Sequence, residues 1–312
     1  MTQPPRVVEV AAAVIIRPDG RFLLARRPPG KVYAGYWEFP GGKAEPGEPL
    51  PAALARELHE EIGVDVERAY PWIVEEYVYP HAHVRLHFFR VVEWRGEPHP
   101  REQQRLSWAA VDDLGVAPLL PANGPVLRAL ALPRILAITN ASELGVAAAL
   151  DRVERALARG VRLVMAREKQ MTREQLQAFS TQVVARCRRA GARVVINSDA
   201  GVAQACAADG LHLPSASLMG TTARPPFALC GASCHDEREL RQAASLGLDY
   251  VLVGPVLPTP SHPQAAGLGW DRLRELISNY GLPVYALGGM REEHLEQAWK
   301  AGAHGVALMR AA

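Results

Sequence analysis

From Arg134 onward, short apolar runs alternate with longer amphipathic stretches, and the alternation comes round eight times. The runs are Arg134–Thr139, Arg162–Ala166, Arg193–Asn197, Gly210–Leu213, Ala228–Ser233, Tyr250–Val256, Pro283–Gly288 and Gly305–Met309. Helix-like segments lie between them, among them Ala147–Arg159, Glu174–Arg189, Glu237–Ser245, Trp270–Asn279 and Glu292–Ala301. A short apolar run bounded by turn residues reads as a buried strand, and strands separated by helices must pair in parallel through crossovers. Eight such units predict a (β/α)8 TIM barrel with its ligand site in the loops that follow the strands. The pattern reaches Ala312 just past the eighth run, so the barrel is expected to lack most of its last helix. The gap in the outer ring is then covered by the first half of the chain or by a partner subunit, or is left exposed. A homo-oligomer is compatible with this reading.

The first 130 residues follow another grammar. Val7–Ile16 and Phe22–Ala25 flank the Asp19-Gly20 turn as a hairpin, and Val84–Val92 alternates like a further strand. At about 100–200 residues per domain, the length predicts two domains, 1–131 and 134–312, joined at Leu132–Pro133. The net charge of +2 gives no field that demands a nucleic acid or a membrane surface as partner. The apolar run after the N-terminus is too short for a membrane span. The four cysteines, Cys187, Cys206, Cys230 and Cys234, match no zinc spacing and read as buried thiols of a cytoplasmic protein.

The most chemical stretch is GGKAEPGEPLPAALARELHEEIGV, Gly41 to Val64. A helix starting near Pro49 tolerates proline in its first turn, and Gly63 stops it. At about 100° per residue, Leu54, Leu58 and Ile62 make one apolar arc. Glu57, Glu60 and Glu61 fill the adjoining arc. Three carboxylates so placed repel one another unless a cation lies between them, and hard oxygen donors suit Mg²⁺. On the glutamates alone, a solvated acidic face is the better explanation.

The whole string decides otherwise. It resembles the Nudix box, Gly-x5-Glu-x7-Arg-Glu-U-x-Glu-Glu-x-Gly-U with U apolar, at Gly42, Glu48, Arg56, Glu57, Leu58, Glu60, Glu61, Gly63 and Val64. The resemblance implies an α/β/α sandwich that hydrolyses a nucleoside diphosphate linked to a further group, with Mg²⁺ or Mn²⁺ as cofactor. It implies metal ligation by Glu57, Glu60, Glu61 and the Gly41 carbonyl, with Arg56 and Glu48 bracing the loop and helix. Tyr36–Lys43 and Leu119–Val126 are similar to segments of the MutT group, which removes 8-oxo-dGTP. That similarity implies a fourth catalytic and metal-binding carboxylate at Glu102. It also implies substrate contacts by Arg27, Phe39, Gly42 and Lys43, and reading of the oxidised base by Asn123. Asn123 is also a good helix cap, Glu102 an ordinary surface charge and Trp37 ordinary core packing. The His81-Ala82-His83 loop lacks the acidic-basic pair that bacterial MutT carries there.

The second half resembles thiamine-phosphate synthase and its TenI-like relatives over about Arg134–Arg310. The matching pieces are Arg167-Glu168-Lys169, Asn197, Asp209–Leu213, Gly231-Ala232-Ser233, Gly254–Thr259 and Gly288-Gly289. The resemblance implies phosphate binding by Arg167, Lys169, Asn197, Ser233, Thr259, Gly288 and Gly289. The family's two metal-binding aspartates are not matched: Ser198 precedes Asp199 at one position, and Pro214–Ser217 occupies the other. Thr259-Pro260-Ser261-His262 lacks the lysine of the family's phosphate grip, Met165 replaces a glutamine, and Arg310 replaces a serine. Three expectations follow. The first is an 8-oxo-dGTP hydrolase that cleans the nucleotide pool, fused to a barrel that binds a phosphorylated thiazole or pyrimidine without full synthase activity. The second is a thiamine-pathway bifunctional protein. The third is a barrel that senses a ligand and controls the hydrolase.

Overall fold

The computed structural model describes residues 7–259 and 267–312. The chain forms two compact units, one reaching to Ala131 and joined by Ser278–Gly281, the other Leu132–Ile277 with Leu282–Ala312.

The first unit contains β1 (Val8–Ile15), β2 (Phe22–Arg26), β3 (Trp37–Glu38), β4 (Gly41–Lys43), α1 (Leu50–Ile62), β5 (Asp65–Tyr79), β6 (Ala82–Arg95), β7 (Arg105–Ala109) and α2 (Gly124–Leu130). One sheet runs β4-β1-β6-β5 and a second β3-β2-β7. Strand side chains alternate between faces, and β1 is apolar on both. Ala11, Ala13 and Ile15 pack under Ala53, Leu54, Leu58 and Ile62 of α1. Ala12 and Val14 pack on the other side with Val126 and Ala129 of α2. Helices on both faces make the α/β/α sandwich. The arc of α1 that meets β1 is the apolar one read from the sequence, and each buried Leu or Ile contributes about 1.5–3 kcal/mol.

Two expectations about strands are corrected. β1 and β2 are not a hairpin: beyond one bridge, Ile16 to Phe22, they part into different sheets. β1 already has β4 on one edge and β6 on the other, so neither edge can take β2. The 15-residue β5 was not expected at all. Its pairing with β6 shifts register between Val66 and Arg68, between Arg68 and Ala69, and between Pro71 and Val74. Each bulge breaks the period of two, and Pro71 reads as an interruption.

The second unit is a closed barrel of eight strands: β8 (Ile135–Ile138), β9 (Leu163–Ala166), β10 (Arg193–Asn197), β11 (Gly210–Leu213), β12 (Leu229–Cys234), β13 (Tyr250–Val253), β14 (Val284–Leu287) and β15 (Gly305–Leu308). All neighbours are parallel, and β15 closes on β8. The connecting helices are α3 (Ala141–Leu144), α4 (Val146–Ala158), α5 (Arg173–Arg189), α6 (Ala200–Ala205), α7 (Ser215–Gly220), α8 (Glu237–Ser245), α9 (Gly269–Ile277) and α10 (Leu295–Lys300). Leu136, Ile138, Met165, Val195, Leu252 and Tyr285 are among the residues that fill the interior. All four cysteines are buried and unpaired with one another. Among the described residues, no helix is long and apolar enough to cross a membrane.

Candidate active site and barrel pocket

The start and end of α1 set the geometry of the first site. Pro49 caps its start in extended backbone, and Gly63 ends it in the left-handed region at φ 68°. Arg56, on the helix face away from the core, ties the loop to the helix. Its Nε donates to Glu48 Oε1 at 3.0 Å and its Nη2 to Glu48 Oε2 at 2.9 Å. The same Nη2 donates to the Lys43 carbonyl at 3.1 Å. Nη1 donates to Glu57 at 2.8 Å and reaches Glu60 at 3.4 Å. The hydrogen bonds from Arg56 hold the Glu48 carboxyl down at about 2. Gly42 makes room for this arrangement: a Cβ there would lie 2.2 Å from the Glu57 carboxylate. Any side chain would push Glu57 away from the loop.

Glu61 points into a crowd of like charges. Burial, joined by the charges of Glu57, Glu102 and Glu38 and opposed by Lys31, pushes its carboxyl up to about 7. Glu102 belongs to a loop hung on the end of α1. Its backbone N–H donates to Gln104 Oε1 at 2.6 Å, and Gln104 Nε2 donates to the Glu61 carbonyl at 2.6 Å. Among the described residues, no three acidic, His or Cys side chains converge closely enough to form a ready-made metal cluster. The donor chemistry nonetheless fits a hard divalent cation: carboxylate oxygens whose mutual repulsion an ion would relieve, beside the Gly41 backbone.

The other sequence-derived contacts lie apart from this brace. Arg27 clamps Glu38 through Nη1 at 2.7 and 2.8 Å, and its Nε donates to the Val32 carbonyl at 2.7 Å. Burial raises the Glu38 carboxyl, and Arg27 opposes that shift. Phe39 is a core residue between Phe22 and Phe88, at 5.8 Å from each ring. Trp37 is core as well. Asn123 is 2% exposed and stands at the start of α2, yet its side chain makes no cap. Its Nδ2 donates instead to the Trp37 carbonyl over a long 3.4 Å. Glu38 and Lys31 escaped the sequence reading. The signal that could have found Glu38 is a lone carboxylate in an otherwise aromatic stretch.

In the barrel the seven residues expected to bind phosphate come together. Arg167, Lys169, Asn197, Ser233, Thr259, Gly288 and Gly289 all line one cavity of about 1050 Å³ at the strand ends. Met165, Leu252, Leu287 and Met309 give it an apolar floor, and Arg159, Arg291 and Arg310 add charge. Its carboxylates among the described residues are Glu292 and Glu293. Asp199 does not line it: its side chain caps α6 at Val202 N–H, 2.8 Å away, and pairs with Arg173 at 3.4 Å. Pro260, Ser261 and His262 lie outside the described residues. Two residues of the matched segments, without an expected role of their own, support the cavity. Glu168, 5% exposed, accepts from the Ala141 and Ser142 N–H groups at 2.8 and 3.1 Å. Buried His212 bonds Ser233 Oγ at 2.9 Å and Tyr250 at 3.2 Å. Burial, with help from Arg167, pushes His212 down to about 3 and keeps it neutral.

Fold and sites together define a two-unit enzyme-type scaffold, with an acidic helix in one unit and a cationic barrel mouth in the other. Comparison with known proteins makes this specific. The family model "Thiamine monophosphate synthase" matches residues 135–312, and the NUDIX domain model matches residues 11–129. The chain therefore belongs to the thiamine monophosphate synthase family through its barrel, and its N-terminal unit is a Nudix hydrolase domain. The barrel is similar to a protein of Aquifex aeolicus named putative thiamine-phosphate synthase 2, at 34% identity over 56% of this chain and 95% of that one. The Nudix domain is similar to the CTP pyrophosphohydrolase of Escherichia coli, at 40% identity over 40% of this chain and 91% of that one. A solved MutT Nudix hydrolase of Burkholderia pseudomallei is 34% identical, covering 39% of this chain and 96% of that one, with a TM-score of 0.37.

Proposed function

We propose that the Nudix unit hydrolyses 8-oxo-dGTP to its monophosphate and pyrophosphate, a nucleotide-pool cleaning reaction that protects DNA replication in the cytoplasm. The observation that carries the substrate is Asn123, a buried amide held by one long hydrogen bond at 3.4 Å. An amide offers a donor and an acceptor, which suits a purine edge altered at both. Glu57, Glu60, Glu61, Glu102 and the Gly41 carbonyl are the groups that would hold Mg²⁺ or Mn²⁺. Such an ion would offset phosphate charge and supply an acidified water as nucleophile. Arg56 keeps Glu57 oriented, and a glutamate of α1, or Glu102 from its loop, would serve as the general base. Arg27, Gly42 and Lys43 border the path of the phosphate chain. The barrel, in turn, holds an anionic ligand such as a phosphorylated thiazole or pyrimidine between Arg167, Lys169 and the Gly288-Gly289 turn.

A second reading is favoured by the CTP pyrophosphohydrolase relative and by the fusion itself. It takes a pyrimidine or thiamine-type pyrophosphate as the Nudix substrate, with both units serving one pathway. The deciding experiment compares kcat/KM for 8-oxo-dGTP, dGTP, CTP and thiamine diphosphate with Mg²⁺. A strong preference for 8-oxo-dGTP is expected, and a preference for CTP or thiamine diphosphate overturns the first reading.

A further inference from the structure

Lys31 stands on the loop between β2 and β3, and that loop is held at several points. Arg26 Nε donates to the Gly35 carbonyl at 3.1 Å, and the Gly35 N–H donates to the Arg27 carbonyl at 3.0 Å. Arg27 Nε holds the Val32 carbonyl at 2.7 Å, and the Ala34 N–H donates to the Lys31 carbonyl at 3.0 Å. Further along, the Tyr33 ring lies 5.4 Å from Tyr79 and 5.9 Å from His81. The lysine is thus delivered by an ordered loop. Its Nζ lies 3.6 Å from Glu102 Oε2. Glu102 is itself tethered to the end of α1 through Gln104. The Lys31 charge also acts on Glu38 and Glu61, so one cation serves three carboxylates from three separate elements.

We infer that Lys31 is the resident counter-cation of the carboxylate site: it pairs with Glu102 in the metal-free protein, yields that carboxylate to a divalent ion, and turns to the substrate's phosphate chain. The inference rests on the reading of α1 as a divalent-metal site. The strength of the pair is what makes the exchange workable. Both partners are about half exposed, at 56% and 47%. Such pairs are weak and screened by salt, so a divalent ion displaces the ammonium readily. A buried pair would resist exchange and lock the site shut. Released from Glu102, the ammonium carries three donors on a flexible stem, which suits the oxygens of a polyphosphate.

The test is Mn²⁺ binding to the full chain without nucleotide, followed by electron paramagnetic resonance, for the wild type, Lys31→Met, Lys31→Arg and Glu57→Gln. Wild type should bind Mn²⁺, and Glu57→Gln should weaken that binding strongly. Lys31→Met should tighten Mn²⁺ binding about two- to fivefold, the range for losing one competing exposed pair. Lys31→Arg, which keeps the charge, should return it to near the wild-type value. With nucleotide present, Lys31→Met should raise KM more than it lowers kcat. If Mn²⁺ binds in a Glu57-dependent way and Lys31→Met leaves its affinity unchanged, the role of Lys31 is overturned while the metal site stands. If wild type binds no Mn²⁺, both fall.

Discussion

The two units present opposite charge at their candidate sites. In the Nudix unit Glu57, Glu102 and Glu38 all push the Glu61 carboxyl upward, so that face repels an anion. In the barrel, among the described residues, the mouth carries Arg167, Lys169 and Arg310, with Glu292 and Glu293 as its carboxylates, so it attracts an anion. The titrations follow the same division. Glu61 is pushed up by burial and by like charges, whereas His212 is pushed down by burial, helped by the Arg167 charge. The difference teaches that the anionic ligands proposed for both sites would need a metal in one place, and arginine and lysine in the other.

The comparison breaks most sharply at Glu57. Glu57→Gln should lower kcat on the order of a thousandfold while far-ultraviolet circular dichroism stays unchanged, because several kcal/mol of metal-assisted stabilisation is lost. Retained hydrolysis would remove Glu57 from the metal site. Chelation with EDTA should mimic this effect in the Nudix unit and leave inorganic phosphate binding at the barrel unaltered by calorimetry. A metal-dependent barrel would erase the contrast. At the barrel, Arg167→Ala should weaken that phosphate binding about 10- to 100-fold, the value of one or two charge-assisted hydrogen bonds. Unchanged binding would place the anion elsewhere.

Two smaller effects sharpen the picture. Asn123→Ala should reduce the preference for 8-oxo-dGTP over dGTP by about 1–3 kcal/mol, if the base pairs with the amide. An unaltered ratio of kcat/KM values would take Asn123 out of base reading. His212 makes the barrel pH-sensitive in a defined direction. It binds a proton near 6.5 when unfolded and only at about 3 when folded. The unfolded state therefore holds more protons between those values, and stability falls as pH drops from about 6.5 toward 3. His212→Gln should flatten that slope in urea titrations monitored on the barrel; an identical slope would show that His212 does not titrate on unfolding.

Much of the barrel was legible before any coordinates. The runs at Arg193–Asn197 and Gly210–Leu213 became β10 and β11 residue for residue, because fully buried parallel strands are continuous apolar segments bounded by turns. The helix Glu237–Ser245 likewise became α8. The Nudix unit was less readable. Its β5 is long, bulged and half exposed and left no clean alternation, and the pairing of β1 with β4 and β6 is invisible in the order of the chain. For the sites, the box was plain in its spacing, and Ser198 and Pro214–Ser217 stood out as departures from the resemblance.

What the sequence determined by itself is local. The helical period places Arg56, Glu57, Glu60 and Glu61 on faces adjoining the Leu54-Leu58-Ile62 arc, and that period depends on no distant residue. Only the tertiary structure decided which distant groups join them. Gln104 hangs the Glu102 loop on the end of α1, Arg27 takes Glu38, and the loop before β3 brings Lys31 to 3.6 Å from Glu102. Those meetings follow from strand order and loop closure, which the packing of whole sheets settles and no short stretch of chain encodes.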